Sequence, residues 1–176
     1  MNYATVKYND IANGLGIRTS LFVSGCTHFC KGCFNSEAWD FNYGKPFDIE
    51  IENQIINSLK SDFCDGLSLL GGEPFEPKNQ EALLPFLERV KKEVPNKNVW
   101  CYTGYLFDEE LLKDSRAKTP NTLKMLKLID VLVDGKFIEE QKNISLRFKG
   151  SENQRIIDVK KSLKQGETVL FNIEDY

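Results

Sequence analysis

The sequence predicts a single-domain α/β fold over residues 1–176, with a mainly parallel sheet. Short apolar segments typical of buried strands alternate with amphipathic segments of about ten residues, an order typical of right-handed βαβ crossovers. The chain has 176 residues and a mass of 20.2 kDa, which suits one hydrophobic core and leaves little room for a second domain. The alternation fits either a partial barrel or an open α/β sheet.

The N-terminal part predicts two strands joined by a turn. Residues 3–8 are rich in β-formers, and residues 18–24 contain a continuous apolar run that ends at Gly25. Such a run is typical of a strand buried on both faces. Residues 13–16, Asn-Gly-Leu-Gly, have turn composition. Residues 39–46 show no period, and we expect them to be irregular.

Two amphipathic helices follow. Asp48 is the expected N-cap of the first, whose apolar positions are Ile51, Ile55, Ile56 and Leu59. The second has apolar positions Leu83, Phe86, Leu87, Val90 and Val94. Because proline removes a backbone donor, we expect a break at Pro85, with Pro85 opening the longer segment.

The remaining elements complete the alternation. The predicted strands are residues 65–70, 98–102, 130–133, 144–148 and 168–172, and the predicted helices are residues 108–113 and 121–129. Ligands collect at the carboxyl ends of parallel strands. Polar, glycine or cysteine residues follow four strands, starting at Gly25, Gly71, Thr103 and Asp134, so we expect one site where these ends converge.

Bulk charge and hydropathy exclude some function classes. The formal net charge is −3 and the isoelectric point is about 5.4, without a basic run, so the chain lacks the electrostatic footprint of a nucleic-acid-binding protein. Apolar runs are far shorter than the roughly 20 residues of a membrane span. The first residues lack an apolar leader core. We therefore expect a soluble, cytoplasmic protein without a membrane partner.

The strongest motif is Cys26-x3-Cys30-x2-Cys33. This spacing brings three sulfurs within reach of one bound object. A cubane iron–sulfur cluster is ordinarily held by four cysteines, so three leave an iron with an open position, where substrates bind. His28, the only histidine, lies in the same loop, and a Cys3His zinc site is the main alternative. An odd count of five cysteines disfavours a disulfide.

The cysteine motif, Phe34 and the segment 71–74, Gly-Gly-Glu-Pro, resemble the radical S-adenosylmethionine superfamily. Within it, the chain resembles the anaerobic ribonucleoside-triphosphate reductase-activating proteins. This closer resemblance covers nearly the whole chain and rests on residues 14–23, 102–105, 133–137 and 147–155. The family usually has proline where Leu15 stands. The resemblance implies a partial (βα) barrel of the radical S-adenosylmethionine type.

The resemblance also implies the cofactors and their ligands. Thiolates of Cys26, Cys30 and Cys33 would hold a 4Fe-4S cluster, whose open iron chelates S-adenosyl-L-methionine. Its reductive cleavage gives methionine and a 5′-deoxyadenosyl radical, and no side chain is catalytic beyond the cluster and the bound S-adenosylmethionine. The residues that the resemblance places at S-adenosylmethionine are Gly32, Cys33, Phe34, Gly71, Gly72, Glu73, Thr103, Asp134 and Lys136.

Three of these residues have an implied role and a plainer alternative. The Gly71-Gly72 backbone would receive the amino group, although two glycines also suit an ordinary strand exit. Lys136 would meet the methionyl carboxylate, or belong with Asp134 to a solvated turn. Phe34 would pack by the adenine or cap the cluster, or belong to the core.

The implied function is that of an oxidoreductase, an activating-type enzyme that leaves a glycyl radical on a partner protein. The expected partners are the large glycyl-radical subunit of anaerobic ribonucleoside-triphosphate reductase and an electron donor such as flavodoxin. The alternatives are a pyruvate formate-lyase-type activase, a 7-carboxy-7-deazaguanine synthase-like enzyme, or a non-catalytic zinc or iron–sulfur protein. Replacing His28 with alanine would abolish metal binding only in a zinc protein.

Several segments have no assigned chemistry. Cys64 and Cys101 are expected to be buried small hydrophobes. Residues 150–155 have loop composition, and only the resemblance links them to a ligand or partner. The aromatic loop 34–47 is a candidate docking surface for the partner, with core packing as the alternative.

Overall fold

The computed structural model describes residues 1–175, and its centre is one seven-stranded mixed sheet. The strands are β1 (Asn2–Asp10), β2 (Arg18–Val23), β3 (Lys45–Pro46), β4 (Gly66–Gly71), β5 (Asn98–Tyr102), β6 (Val131–Asp134) and β7 (Arg155–Asp158). Their order is β3-β1-β2-β4-β5-β6-β7. The four central strands β2, β4, β5 and β6 are parallel, whereas β1, β3 and β7 pair antiparallel. Within residues 1–175 no pairing joins β3 to β7, so the sheet is open.

Four α-helices cover one face of this sheet. They are α1 (Ile49–Leu59), α2 (Pro77–Glu93), α3 (Thr122–Leu128) and α4 (Val159–Gln165). Single helical turns occur at Ser36–Trp39, Phe107–Leu111, Glu139–Gln141 and Ile173–Asp175. Apolar side chains of the four helices form one buried core with Leu21, Leu69 and Cys101 of the sheet. On the other face, Trp100 and Val133 pack with loop aromatics in a smaller cluster. The α/β class is therefore confirmed, with helices on one face only.

The first helix begins and packs as the sequence predicts. The Asp48 carboxylate accepts hydrogen bonds from the backbone N–H groups of Glu50 and Ile51, which stabilises the helix start by about 1 kcal/mol. Its apolar stripe is buried. The strand prediction for residues 18–24 is also confirmed, because every residue of β2 is buried.

The predicted break at Pro85 is wrong. Helix α2 begins at Pro77, a proline in its first turn, and continues without interruption through Pro85. Proline deprives the carbonyl of Glu81, four residues earlier, of its helical donor. Both Pro85 and Glu81 lie on the exposed side of α2, where water can hydrate that carbonyl. The helix therefore tolerates the proline without a break.

The two C-terminal strand predictions are also wrong. Residues 144–148 form turns, and residues 168–172 contribute a single bridge from Leu170 to Ile157. The seventh strand is Arg155–Asp158, and α4 follows it directly. β-forming residues alone predicted strands here, but Ile144 is 92% exposed and has no sheet to cover it. Helix α4 escaped prediction because it is short and buries only Val159 and Ser162.

Arg18 anchors the start of β2 to its neighbours. Its side chain is fully buried and donates to Ser68 Oγ at 2.7 Å and to the backbone carbonyl of Leu67 at 2.7 Å. The guanidinium also lies 5.5 Å from the ring centre of Trp100. Burial lowers the pKa of Arg18 to about 10. These contacts fix the end of the sheet opposite the cysteines.

Among residues 1–175, none of the helices combines the length and the apolar character that crossing a bilayer would require.

Candidate functional site

The carboxyl ends of the four parallel strands meet at one cavity of about 530 Å³. This volume lies in the usual range of small-molecule sites. All three motif cysteines line it, as do Gly71, Gly72, Glu73, Thr103 and Gly135 from the ends of β4, β5 and β6. The convergence expected from the order of elements is therefore observed.

The three motif cysteines are free thiols that differ in solvent exposure. Cys26 is buried, whereas Cys30 and Cys33 are partly exposed. Burial raises the pKa of Cys26 to about 12, and the nearby Glu73 and Glu76 act in the same direction. Burial also raises the pKa of Cys30, against which the positive charge of Lys136 acts. The thiolate forms that bind metals therefore require a nearby positive centre, such as the metal itself.

Local backbone geometry shapes the cysteine loop. Gly25 has a φ of +95°, and its N–H donates to the carbonyl of Ala38 at 2.8 Å. Cys26 N–H donates to Trp39 O at 3.2 Å, and Cys33 N–H closes a turn onto Cys30 O at 3.1 Å. The loop is therefore fastened to the segment that follows it, which includes the turn Ser36–Trp39.

Hydrogen bonds to the Glu73 carboxylate connect the cysteine loop to the ends of β4 and β5. This carboxylate is 1% exposed and accepts four hydrogen bonds. The donors are His28 Nε2 at 2.9 Å, Phe75 N at 2.8 Å, Thr103 Oγ1 at 2.8 Å and Gly104 N at 2.8 Å. A buried carboxylate with its acceptor sites filled holds three segments together and is not available to a ligand.

Both ring nitrogens of His28 have partners. Nε2 lies on Glu73, and Nδ1 lies 3.4 Å from Nη2 of Arg116. The ring also contacts Tyr105 edge-on, with the two ring centres 4.4 Å apart. His28 therefore has no free nitrogen for a metal, which argues against the Cys3His zinc alternative.

The Gly71-Gly72 pair brings backbone close to backbone. Gly71 has a φ of +107°, and a Cβ on Gly72 would lie 2.6 Å from the carbonyl oxygen of Gly25. The N–H groups of Gly72 and Glu73 already donate to Val23 O at 2.7 Å and Gly25 O at 2.9 Å. These two N–H groups are therefore engaged within the protein, whereas backbone carbonyl oxygens suit a donor such as an amino group.

The other predicted site residues lie in different surroundings. Thr103 is buried against Glu73, and Gly32 and Phe34 line the cavity, with Phe34 85% exposed. Asp134 is fully buried and bonds Arg155. Its carboxylate also accepts from Phe107 N at 2.8 Å. Lys136 is exposed beside the cavity lining, close enough to act on Cys30.

Sequence reasoning missed one wall of the cavity. Residues between β6 and β7 form it: Phe137, Lys142, Asn143, Ile144, Leu146, Phe148, Lys149, Gly150 and Gln154. Gln154 shapes this wall, since its side chain accepts from Gly150 N at 2.7 Å and donates to Gly135 O at 2.9 Å. The unexplained segment 150–155 therefore has a structural role at the site. The family resemblance was the only signal that linked that segment to the site, since its composition indicated no more than a loop.

The donor set suits a cluster with three protein thiolates. In residues 1–175 no three His, Cys, Asp or Glu side chains are grouped to share one metal ion. A four-iron cluster binds each thiolate through a different iron, so it does not need such a group. Cys64 and Cys101 are buried in the helix-covered core, as expected, and do not line the cavity.

Comparisons with known proteins agree with this geometry. Residues 12–157 match a family model described as a 4Fe-4S single cluster domain. The chain is 52% identical over 158 residues to an anaerobic ribonucleoside-triphosphate reductase-activating protein of Haemophilus influenzae, covering 89% of this chain and 97% of that protein. It is 42% identical over 156 residues to the protein of that name from Escherichia coli K12, with coverage of 88% and 96%. For the protein of that name from phage T4, identity is 36% over 158 residues, with coverage of 89% and 93%.

Proposed function

The chain belongs to the family of anaerobic ribonucleoside-triphosphate reductase-activating proteins, and we propose that it generates a glycyl radical on its partner reductase by reductive cleavage of S-adenosylmethionine. The chain is thus an activating enzyme with an iron–sulfur domain. The single observation that carries the proposal is the convergence of all three motif cysteines and Gly71-Gly72 on one cavity.

Cys26, Cys30 and Cys33 are the proposed ligands of a 4Fe-4S cluster. The fit rests on three free thiols at one cavity, a histidine in the same loop with both nitrogens occupied, and no further cysteine at the site in residues 1–175. One iron would then lack a protein ligand and remain open to S-adenosylmethionine.

The cavity offers groups that suit S-adenosylmethionine. Backbone carbonyls of the Gly71-Gly72 segment are proposed to accept hydrogen bonds from its amino group. Lys136 would meet the carboxylate, and Phe34 would cover the adenine. Gly32 and Thr103 would line the site. Glu73 and Asp134 act through the backbone that they hold, since the donors around each carboxylate already engage it.

The cluster and S-adenosylmethionine together supply one-electron chemistry that no side chain performs. When both are bound, that chemistry would be the one-electron cleavage of the sulfonium C–S bond to methionine, coupled to removal of one hydrogen atom from a glycine Cα, with 5′-deoxyadenosine and a glycyl radical as products. The chain's own task is to hold the reactants, to keep water out and to admit a polypeptide. Its open sheet leaves the cavity accessible for that segment.

The wider setting is also proposed. The partner is the large glycyl-radical subunit of anaerobic ribonucleoside-triphosphate reductase, and the electron comes from a low-potential carrier such as flavodoxin. Five free thiols suit the reducing cytoplasm, where we place the enzyme, without a nucleic-acid or membrane partner. We further propose that residues 1–176 act as one domain whose open sheet corresponds to a partial (βα) barrel.

Anaerobic reconstitution tests the proposal. Iron and sulfide analysis is combined with EPR of the dithionite-reduced protein, with and without S-adenosylmethionine. We expect four irons per chain and a signal whose shape changes on adding S-adenosylmethionine. The signal should disappear in Cys26→Ala and persist in the control variant Cys64→Ala.

Two results would contradict the proposal: zinc without iron, or a cluster indifferent to S-adenosylmethionine. Incubation with the purified reductase subunit then identifies the substrate. A glycyl-radical EPR doublet on that subunit is expected, with one 5′-deoxyadenosine formed per radical. Cleavage without transfer to the reductase would point to one of the related radical enzymes.

A further inference from the structure

The chemistry proposed for this site leaves the only histidine of the chain without a role. His28 lies between Cys26 and Cys30, where a metal ligand would be expected, and its side chain is 2% exposed. Its surroundings are built by three other segments. Glu73 comes from the end of β4, Gly104 from the end of β5, and Arg116 from the stretch before α3.

The partners of the imidazole fix its orientation. The Glu73 carboxylate only accepts, so His28 Nε2 carries the hydrogen of that 2.9 Å bond. The Arg116 guanidinium only donates, so Nδ1 accepts at 3.4 Å. The ring therefore has one tautomer and one orientation that satisfy both neighbours. Tyr105 and Gly104 enclose it on the remaining sides.

The imidazole of His28 packs so closely against Gly104 that only glycine fits at that position. A Cβ on Gly104 would lie 2.5 Å from Cδ2 of His28, closer than real Cβ contacts allow. Gly104 also donates its N–H to the same carboxylate that holds the imidazole. The end of β5 is therefore shaped around the side chain of a residue in the cysteine loop.

The backbone of His28 acts on a thiol. Burial raises the pKa of Cys26, and the hydrogen bond from the His28 N–H group acts against that larger effect. Hydrogen bonds to cluster sulfurs are among the factors that set the reduction potential of iron–sulfur clusters, because a donor stabilises the extra negative charge of the reduced state. The orientation of this N–H depends on where the side chain of the same residue is held.

We propose that His28 is a positioning residue for the cluster: Glu73 holds its imidazole and thereby fixes the loop backbone between Cys26 and Cys30. This inference rests on the proposed function only in requiring a cluster on the three cysteines. His28 then tunes the cluster without binding iron. Replacing it should leave assembly intact and shift the midpoint potential.

The test compares reconstituted wild type with His28→Ala, His28→Gln and Phe29→Ala. Iron and sulfide are measured at the end of reconstitution, and the midpoint potential is measured by EPR-monitored redox titration. Phe29 is the matched control because it is the next residue in the loop and carries an aromatic ring. That ring is 61% exposed and contacts Trp39 instead of Glu73.

We expect all four proteins to bind the same amount of iron and sulfide. The midpoint of His28→Ala should shift to a more negative value. His28→Gln, whose amide still donates, should fall between wild type and His28→Ala, and Phe29→Ala should match wild type. A His28→Ala protein with the wild-type midpoint overturns the inference. So does one that assembles no cluster, because assembly would then require a side chain that the inference treats as dispensable for it.

A double-mutant cycle with Glu73→Gln tests whether the effect passes through the carboxylate. The shift of the double variant should be no larger than that of the stronger single variant, and additive shifts contradict the proposal. Gly104→Ala displaces the ring from the opposite side and should shift the midpoint in the same direction. These midpoints are recorded without S-adenosylmethionine. A wild-type cluster indifferent to S-adenosylmethionine would therefore overturn the proposed function and leave this test valid.

Discussion

Arg155 binds the buried carboxylate of Asp134 directly, with Nη2 2.5 Å from Oδ2 and Nε 3.0 Å from Oδ1. The same guanidinium reaches Asp108 at 2.8 Å, in the helical turn Phe107–Leu111. Because Asp134 is the last residue of β6 and Arg155 the first of β7, the pair closes that edge of the sheet. It holds the strand end that leads to Gly135 in the cavity wall.

Replacing Arg155 with methionine should destabilise the protein strongly. Asp134 would remain fully buried without its cation, and removing one partner of a buried pair commonly costs 3–5 kcal/mol. Arg155 is partly exposed, so we expect the lower end, about 3 kcal/mol, in urea unfolding of the cluster-free protein. The matched control Lys113→Met removes the exposed pair with Glu109 and should cost at most about 0.5 kcal/mol. Equal losses in both variants would contradict this view of the network.

Asp108 should make stability depend on pH in the acid range. Hydrogen bonds from Arg155 lower the pKa of Asp108 to about 2, from an ordinary value of 3.8. A carboxyl group whose folded pKa is lowered stabilises the protein above its unfolded pKa and loses that contribution as the pH falls through the folded value. The wild type should therefore lose stability more steeply than Asp108→Asn between about pH 4 and pH 2. Parallel curves of unfolding free energy over pH 2–7 would refute this assignment.

The cysteine loop and the strand ends were predictable because each depends on short-range patterns. Spacing within eight residues marks the three cysteines, and an apolar run ending in glycine marks the ends of β2 and β4. The convergence of these ends then follows from the parallel crossovers alone. This is why the central strands and the cavity position agree with the structure.

The contacts that organise the site depend on distant residues and were not predictable. His28 and Glu73 are 45 positions apart, and Arg155 and Asp134 are 21 apart. No local sequence pattern shows whether the Glu73 carboxylate accepts hydrogen bonds from other parts of the protein or from a bound ligand. The wall formed by residues 142–154 was missed for a related reason, since its position depends on Gln154 contacts and not on strand propensity. The continuous helix through Pro85 depends on which side of α2 faces water.

Gly72 should tolerate no side chain. A methyl group there would lie 2.6 Å from Gly25 O and 3.0 Å from Ala38 O, and both are backbone atoms that cannot rotate away. Gly72→Ala should push the cysteine loop outward and weaken S-adenosylmethionine binding by at least about tenfold, equivalent to roughly 1.4 kcal/mol. Binding is measured by titrating the EPR signal of the reconstituted protein.

The control for Gly72 is Gly166→Ala. Gly166 has a φ of +76° at the end of α4, and nothing lies within 4 Å of a Cβ there. This variant should lose about 1 kcal/mol of stability through backbone strain and bind S-adenosylmethionine as the wild type does. Unchanged binding in Gly72→Ala would mean that the Gly25 loop yields without affecting the site.

Phe34 should affect ligand binding and not folding. It is 85% exposed yet lines the cavity, so truncation to alanine removes almost no buried surface and should change stability by less than about 0.5 kcal/mol. If its ring covers the adenine, Phe34→Ala raises the KM for S-adenosylmethionine in a dithionite-driven cleavage assay while iron content is unchanged. Phe63→Ala is the matched control, because Phe63 is 80% exposed and lies outside the cavity lining. A KM that rises equally in both variants, or in neither, would remove Phe34 from the binding site.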